Sequence, residues 1–230
     1  VELAWGNRAL CTASVLYGAG RFIAPTGNAW SAYDATTGAV AWTWKPSYTP
    51  CGTQGPVRFV QANRELMLYG ATCVDLATGT VLWSAEGASA KAGSPCVGEG
   101  YVVFGGAAKE AGVSCYKLAA DPAQAPTKVW ALEAGYCSSH NCTPAIHRGW
   151  VYTKMNNADQ VPGGDIVFVA LELATGKKLQ IASHTDSMAS MVACDGRILY
   201  EGIMFSAAPD FKTLPGVNEF FKAGDGAAFY

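Results

Sequence analysis

Two cysteines and a histidine fall within one short stretch, Cys137-Ser138-Ser139-His140-Asn141-Cys142, the densest group of soft metal donors in the chain. Thiolate and imidazole are zinc ligands, but a closed structural site takes four of them. No second cluster lies beside this one, and the other histidines, His147 and His184, are isolated. His147, next to a turn, reads as solvated. A small loop closed by a Cys137–Cys142 disulfide is the simpler expectation. Asn141-Cys142-Thr143 also fits the glycosylation sequon. The acids Asp159, Asp165 and Glu172 are loop carboxylates that usually solvate a surface, and no EF-hand pattern surrounds them. Ser183 to Ser190 carries His184 and Asp186, but neighbours in one loop do not make a triad. No G-x-S-x-G, H-E-x-x-H or phosphate-loop pattern occurs.

The remaining cysteines are Cys11, Cys51, Cys73, Cys96, Cys115 and Cys194, eight in all. No pair has C-x-x-C spacing, which argues against zinc ribbons, thioredoxin-like exchange and covalent c-type haem. Disulfides in an oxidising compartment, extracellular or periplasmic, are the expectation for all eight. Charged residues make up 15% of the chain, against about 25% in a typical soluble protein. Together with 26 glycines and 7 tryptophans, this points to buried sheet and tight turns. A net charge of −2 gives no basic footprint for nucleic acid. No apolar run approaches the roughly 18 residues of a membrane span.

These residues hang on a repeat. Tyr33-Asp34-Ala35-Thr36-Thr37-Gly38 with Trp42 returns as Val74-Asp75-Leu76-Ala77-Thr78-Gly79 with Trp83, and again as Leu171-Glu172-Leu173-Ala174-Thr175-Gly176. A lengthened version runs from Cys115-Tyr116-Lys117-Leu118 through Asp121, Pro122 and Pro126 to Val129-Trp130. Each reads as a hairpin, and in the three regular copies Asp34, Asp75 or Glu172 sits at the corner while Gly38, Gly79 or Gly176 supplies positive φ. Upstream in each period a tight turn leads into an apolar strand: Ala19-Gly20, Ala62-Asn63, Glu99-Gly100, Arg148-Gly149 and Asp195-Gly196. Four strands per period, A to D, with a period in the forties, predict an all-β chain: a β-propeller of four-stranded antiparallel blades. The blades fall at 12–44, 51–84, 94–132, 142–181 and 190–230 in a single domain, about five in number.

The small-Pro strand starts (Gly55-Pro56, Ser94-Pro95, Thr143-Pro144), the turn glycines, the Asp-x-x-Thr-Gly corners and the strand-end tryptophans together resemble the repeat of the pyrroloquinoline-quinone-like propellers. That family holds quinoprotein alcohol dehydrogenases and cofactor-free members such as the outer-membrane assembly lipoprotein of Gram-negative bacteria. The resemblance implies that Trp42, Trp83 and Trp130 dock between blades, as Trp5 would; Gln180 stands where the fourth copy should have its tryptophan. It also implies, for the dehydrogenases, a vicinal Cys-Cys and calcium ligands. Neither is found in this sequence, so the expectation is a cofactor-free member.

The fifth period lacks strand D, while Val1-Glu2-Leu3-Ala4-Trp5 reads as a strand D with nothing before it. Val1, Leu3 and Trp5 are therefore expected to complete the last blade against a strand C ending at Phe229-Tyr230, in the same chain or the next; the alternative is a window from a longer propeller. The long loops, at 45–55, 105–112, 133–142, 154–165 and 203–226, gather on the D–A/B–C face with every cysteine but Cys194. Elaborated loops on a rigid scaffold are where binding resides. The preferred function is a non-catalytic extracytoplasmic scaffold that binds proteins or assembles with itself, without cofactor. A quinoprotein-type oxidoreductase, or a piece of one, is the alternative.

Overall fold

The structure, a computed structural model, describes residues 15–47, 55–88, 93–105, 112–132, 143–156, 166–184, 191–200 and 203–206. All its regular elements are strands, and they form five antiparallel sheets, each built from strands consecutive in the chain. The first sheet holds β1 (Leu16–Gly18), β2 (Arg21–Thr26), β3 (Ala29–Asp34) and β4 (Val40–Trp44). The second holds β5 (Val57–Gln61), β6 (Arg64–Tyr69), β7 (Thr72–Asp75) and β8 (Val81–Ser84). The third holds β9 (Cys96–Gly98), β10 (Tyr101–Phe104), β11 (Ser114–Lys117) and β12 (Thr127–Ala131). The fourth holds β13 (Ala145–His147), β14 (Trp150–Asn156), β15 (Ile166–Glu172) and β16 (Lys178–His184). The fifth has three described strands, β17 (Met191–Cys194), β18 (Arg197–Tyr200) and β19 (Ile203–Ser206).

The turn chemistry of the sequence produces this meander. All five A–B connections are two-residue turns with both residues at positive φ, from Ala19-Gly20 (50° and 70°) to Asp195-Gly196 (47° and 71°). Two left-handed residues in succession give the primed turn whose twist matches the flanking strands. At the C–D corners the acid organises the loop. The Asp34 carboxylate accepts from the amides of Thr36 (3.0 Å) and Thr37 (2.8 Å), and Asp75 does the same for Ala77 (2.8 Å) and Thr78 (3.0 Å). The glycine amide then closes the turn on the acid's own carbonyl, at 2.8 Å in Gly38, Gly79 and Gly176.

The first strands lie side by side in sequence order: β1 against β5, β5 against β9, β9 against β13 and β13 against β17. The core lies between sheets. Ile23, Trp30 and Ala32 pack on Met67, Tyr69, Val74 and Leu76; Leu66, Leu68, Cys73 and Trp83 pack on Val102, Phe104 and Tyr116; Val103 and Cys115 pack on Val151, Val169, Leu171 and Leu173. A sheet buried on both faces needs apolar residues at successive positions, which is why Leu66-Met67-Leu68-Tyr69 and Val102-Val103-Phe104 show no polar alternation.

The fifth sheet departs from expectation. Its third strand is Ile203–Ser206, joined to β18 across residues 201–202 in the register Tyr200↔Ile203, rather than a segment near the chain end after a long 203–226 loop. A short connection orders less chain than a long one, and Ile203-Met204-Phe205 is itself a strand-forming run. The expected closure residues Val1, Leu3, Trp5, Phe229 and Tyr230 lie outside the described residues.

Candidate functional site

The tryptophans at the D-strand ends key one sheet to the next. Trp42 Nε1 donates to the Leu76 carbonyl at 3.0 Å, and Trp130 Nε1 donates to the Leu173 carbonyl at 2.9 Å. Each indole also lies over the turn glycine of the following sheet. A Cβ on Gly79 would stand 2.6 Å from the Trp42 ring, and one on Gly176 would stand 2.8 Å from Trp130. These glycines are thus required twice, for positive φ and for the approach of the indole. Trp83 is the buried member of the set, while Trp42 and Trp130 keep part of their surface exposed. In all three sheets a β-bulge falls just before the tryptophan, between Ala32/Tyr33, Cys73/Val74 and Cys115/Tyr116 on the partner strand. A bulge re-aims the side chain beside it. In the fourth sheet, which has Gln180 in place of tryptophan, the bulge has moved to Phe168/Val169.

The cysteines correct the disulfide expectation for four of its members. Cys73, Cys96, Cys115 and Cys194 are free thiols. Cys73 and Cys115 are core side chains in separate seams, and Cys115 Sγ donates to the Leu173 carbonyl at 3.7 Å. Burial pushes the Cys73 thiol up to about 12, with the Asp75 charge adding to it. Burial alone does the same at Cys115, also to about 12, and raises Cys96 to about 11. Thiols held so far above neutrality are inert. Cys11, Cys51, Cys137 and Cys142, with the sequon Asn141, lie outside the described residues, as do Asp159, Asp165 and Asp186.

Other candidates are absorbed by structure. The Glu172 carboxylate accepts from the Thr175 hydroxyl within its own turn. His147 is not simply solvated: its Nε2 accepts from the Gly196 amide at 2.8 Å and so ties the fourth sheet to the fifth. Glu99 makes the equivalent link one seam earlier, accepting from the Gly149 amide at 2.8 Å. Among the described residues no group of three His, Cys, Asp or Glu side chains could hold a metal ion. Sequence reasoning passed over two buried charges. Asp75 is paired with Arg64 at 2.5 Å. Burial would raise its carboxyl, but Arg64 and the Thr78 and Ala77 amides outweigh that and hold it below the usual range. Lys154 is fully buried in β14 and partnered there. The signal was a lysine in the middle of a strand that begins Trp150-Val151-Tyr152.

Two concavities lie among the described residues. One, of about 370 Å³, lies between the second and third sheets at their hairpin turns, lined by Phe59, Gln61, Gly98, Glu99 and Leu118. Gln61 crosses it to donate to the Ala119 carbonyl at 2.5 Å. The other, of about 340 Å³, lies on the first sheet and is lined by Val15, Phe22, Ala24, Tyr33, Ala35 and Gly38.

That second cavity belongs to a wider pattern. Strand pairing makes Phe22, Met67, Val102 and Val151 equivalent, opposite Tyr33, Val74, Tyr116 and Leu171. Ile198 holds the same place after its turn. The last four of these five are fully buried, Met67, Val102 and Val151 against the preceding sheet, whereas Phe22 is 48% exposed, beside Val15 at 59% and Tyr17 at 58%. On the opposite faces Ile23, Leu68 and Val103 are fully buried against the following sheet and Tyr152 is fully buried, whereas Leu199 is 37% and Val192 61% exposed. The two ends of the row thus present apolar faces of the types that pair at every seam between them.

No family profile matches the chain. No curated protein matches it either. Solved structures do. The quinohemoprotein alcohol dehydrogenase ADHIIG from Pseudomonas putida HK5 superposes with a TM-score of 0.51 at 15% identity, over 84% of this chain and 40% of that enzyme. A quinonprotein alcohol dehydrogenase-like protein from Bacteroides thetaiotaomicron gives 0.48 at 14% identity, over 93% and 54%. The computationally designed Ika8 protein gives 0.42 at 12%, over 85% and 67%. The chain therefore spans well under half the length of the alcohol dehydrogenase it matches. At such identities the likeness is one of fold, and the fold is a β-propeller.

Proposed function

We propose that this chain is a non-catalytic propeller scaffold that assembles with copies of itself through the two end faces of its row of sheets. The exposure of Val15, Tyr17 and Phe22 at one end and of Val192 and Leu199 at the other supports this reading. Leaving apolar surface of this kind in water forfeits about 25 cal/mol for every Å² that could be buried, and contiguous apolar patches mark interaction sites. The faces are different surfaces, so their union is heterologous and runs head to tail. The thiols of Cys73, Cys96 and Cys115 are held far above neutrality, and the corner acids Asp34, Asp75 and Glu172 are engaged in their turns. The reading keeps the chain extracellular or periplasmic, on the strength of the expected Cys137–Cys142 loop.

Blocking one face at a time tests it. Phe22→Lys should leave the Leu199 face competent, and Leu199→Lys should leave the Phe22 face competent. Each variant alone should be a monomer, and their mixture should give a dimer that grows no further. A mixture that stays monomeric would contradict head-to-tail union. A quinone-like absorption in the near ultraviolet and visible would instead favour a quinoprotein-type oxidoreductase.

A further inference from the structure

The cavity between the second and third sheets is shaped by the one described C–D turn that breaks the repeat. At the other corners the chain closes within a few residues, the amides of Gly38, Gly79 and Gly176 bonding the carbonyls of Asp34, Asp75 and Glu172. The third sheet instead runs on from Leu118 to Pro126 before β12 begins. Asp121 organises this longer turn: its carboxylate accepts from the Ala123 amide at 2.9 Å, and its carbonyl accepts from the Gln124 amide at 3.1 Å. The first residues of the turn, Leu118 to Ala120, form one wall of the cavity. Phe59, Val97 and Leu118 rest on the core between the two sheets and also line the space. Insertions in a repeat gather on binding faces, and about 370 Å³ lies within the ligand-pocket range of about 300–1,000 Å³.

The polar groups of this cavity lack a donor. Gln61 lies across it with Nε2 on the Ala119 carbonyl at 2.5 Å. That bond fixes which way the amide points, because a carbonyl oxygen needs an N–H opposite it. It leaves Oε1 buried and without a donor among the described residues, and an unmet buried acceptor is costly. At the rim stands the exposed Glu99 carboxylate, one oxygen of which takes the Gly149 amide at 2.8 Å; a carboxylate has lone pairs for further donors. No lysine, arginine or histidine is among the lining residues. An anionic ligand would therefore meet acceptors and a like charge. We infer that this cavity binds a primary ammonium carried on an apolar group the size of an aromatic ring. The apolar part lies against Phe59, Val97 and Leu118, and the ammonium donates to Gln61 Oε1 within the field of Glu99. The terminal torsion of a glutamine is broad, so a small rotation turns Oε1 toward an entering N–H. The site lies at an internal seam, between sheets that carry neither end face, and the inference does not depend on self-assembly. A free amine and the N-terminus of a peptide share this chemistry.

Titrating the ¹⁵N-labelled full chain with phenethylamine tests it. The Gln61 side-chain amide and the backbone amides of Glu99, Gly100 and Ala120 should shift together and saturate with a Kd of about 1 mM or tighter, ordinary for so small a molecule. Phenethyl alcohol, of similar shape without the charge, should bind about tenfold more weakly, the loss of one hydrogen bond to a charged group. Glu99→Gln keeps an acceptor for the Gly149 amide and removes the charge; it should weaken the amine and leave the alcohol unchanged. Gln61→Leu should weaken the amine about tenfold. Should that variant fail to fold, Ala120→Trp at the exposed rim should exclude both probes while the thermal melt stays that of the parent. Competition by a Phe-Ala-Ala peptide separates the two sources: displacement of the amine extends the ammonium site to peptide ends, and no displacement confines it to free amines. Equal binding of amine and alcohol, or shifts that saturate only at other residues, would overturn the inference, as would no saturable shift by about 10 mM.

Discussion

Each turn glycine beneath an indole carries a penalty that can be separated into parts. Gly20→Ala puts a Cβ at positive φ in open space and should cost about 1–2 kcal/mol for the left-handed conformation alone. Gly79→Ala adds a clash with the Trp42 ring, worth a further 1–3 kcal/mol or so. Denaturant unfolding of the two variants should therefore rank Gly79→Ala well below Gly20→Ala, and equal losses would remove Trp42 from its place over the turn. At the corner acids, both Asp34 and Asp75 titrate below the ordinary carboxylate range, Asp34 chiefly through the Thr37 amide. A depressed carboxyl stabilises the fold fully above its unfolded pKa of about 4, and that contribution is lost as pH falls through the folded value. Asp75→Asn should accordingly lower stability at neutral pH and flatten the acid limb of the stability curve; an unchanged limb would place the acid sensitivity elsewhere. The thiols give a third check. Cys194 should react with a thiol reagent in the native protein, while Cys73 and Cys115 should react only on unfolding, and fast labelling of Cys73 would contradict the buried seam. The corner acids and glycines were legible in the sequence because the turn is local, fixed by residues three or four apart. The thiol state of Cys73 and Cys115 was not, since pairing depends on which strands become neighbours.

At the scale of the element, the seam between the second and third sheets depends on Trp83. It is buried among Leu66, Leu68, Val102 and Tyr116, so Trp83→Ala should cost about 3–5 kcal/mol. A thermal melt that coincides with the parent's would show that the seam does not rest on it. The bulge supplies the reason that Gln180 was a meaningful departure: without an indole to aim, the fourth sheet shifts its bulge along the strand. Strand order and sheet membership were readable because every A–B turn carries its own left-handed pair. The third strand of the fifth sheet was misplaced because two long loops earlier in the chain suggested another. Tyr200 instead pairs with Ile203, only three residues on.

At the scale of the molecule, a row of sheets with seams of one kind leaves two unlike ends, and their fate decides what the chain does. Periodicity made the propeller legible. It could not say that Phe22 and Leu199 are exposed, because their residue types match those buried at every internal seam, and exposure follows from what each sheet is stacked against. Sedimentation equilibrium of the unmodified chain across a wide concentration range tests the central claim most directly. The account predicts an average mass above the 24.1 kDa of one chain, rising with concentration as copies add head to tail. A single species of 24.1 kDa at every concentration would contradict it.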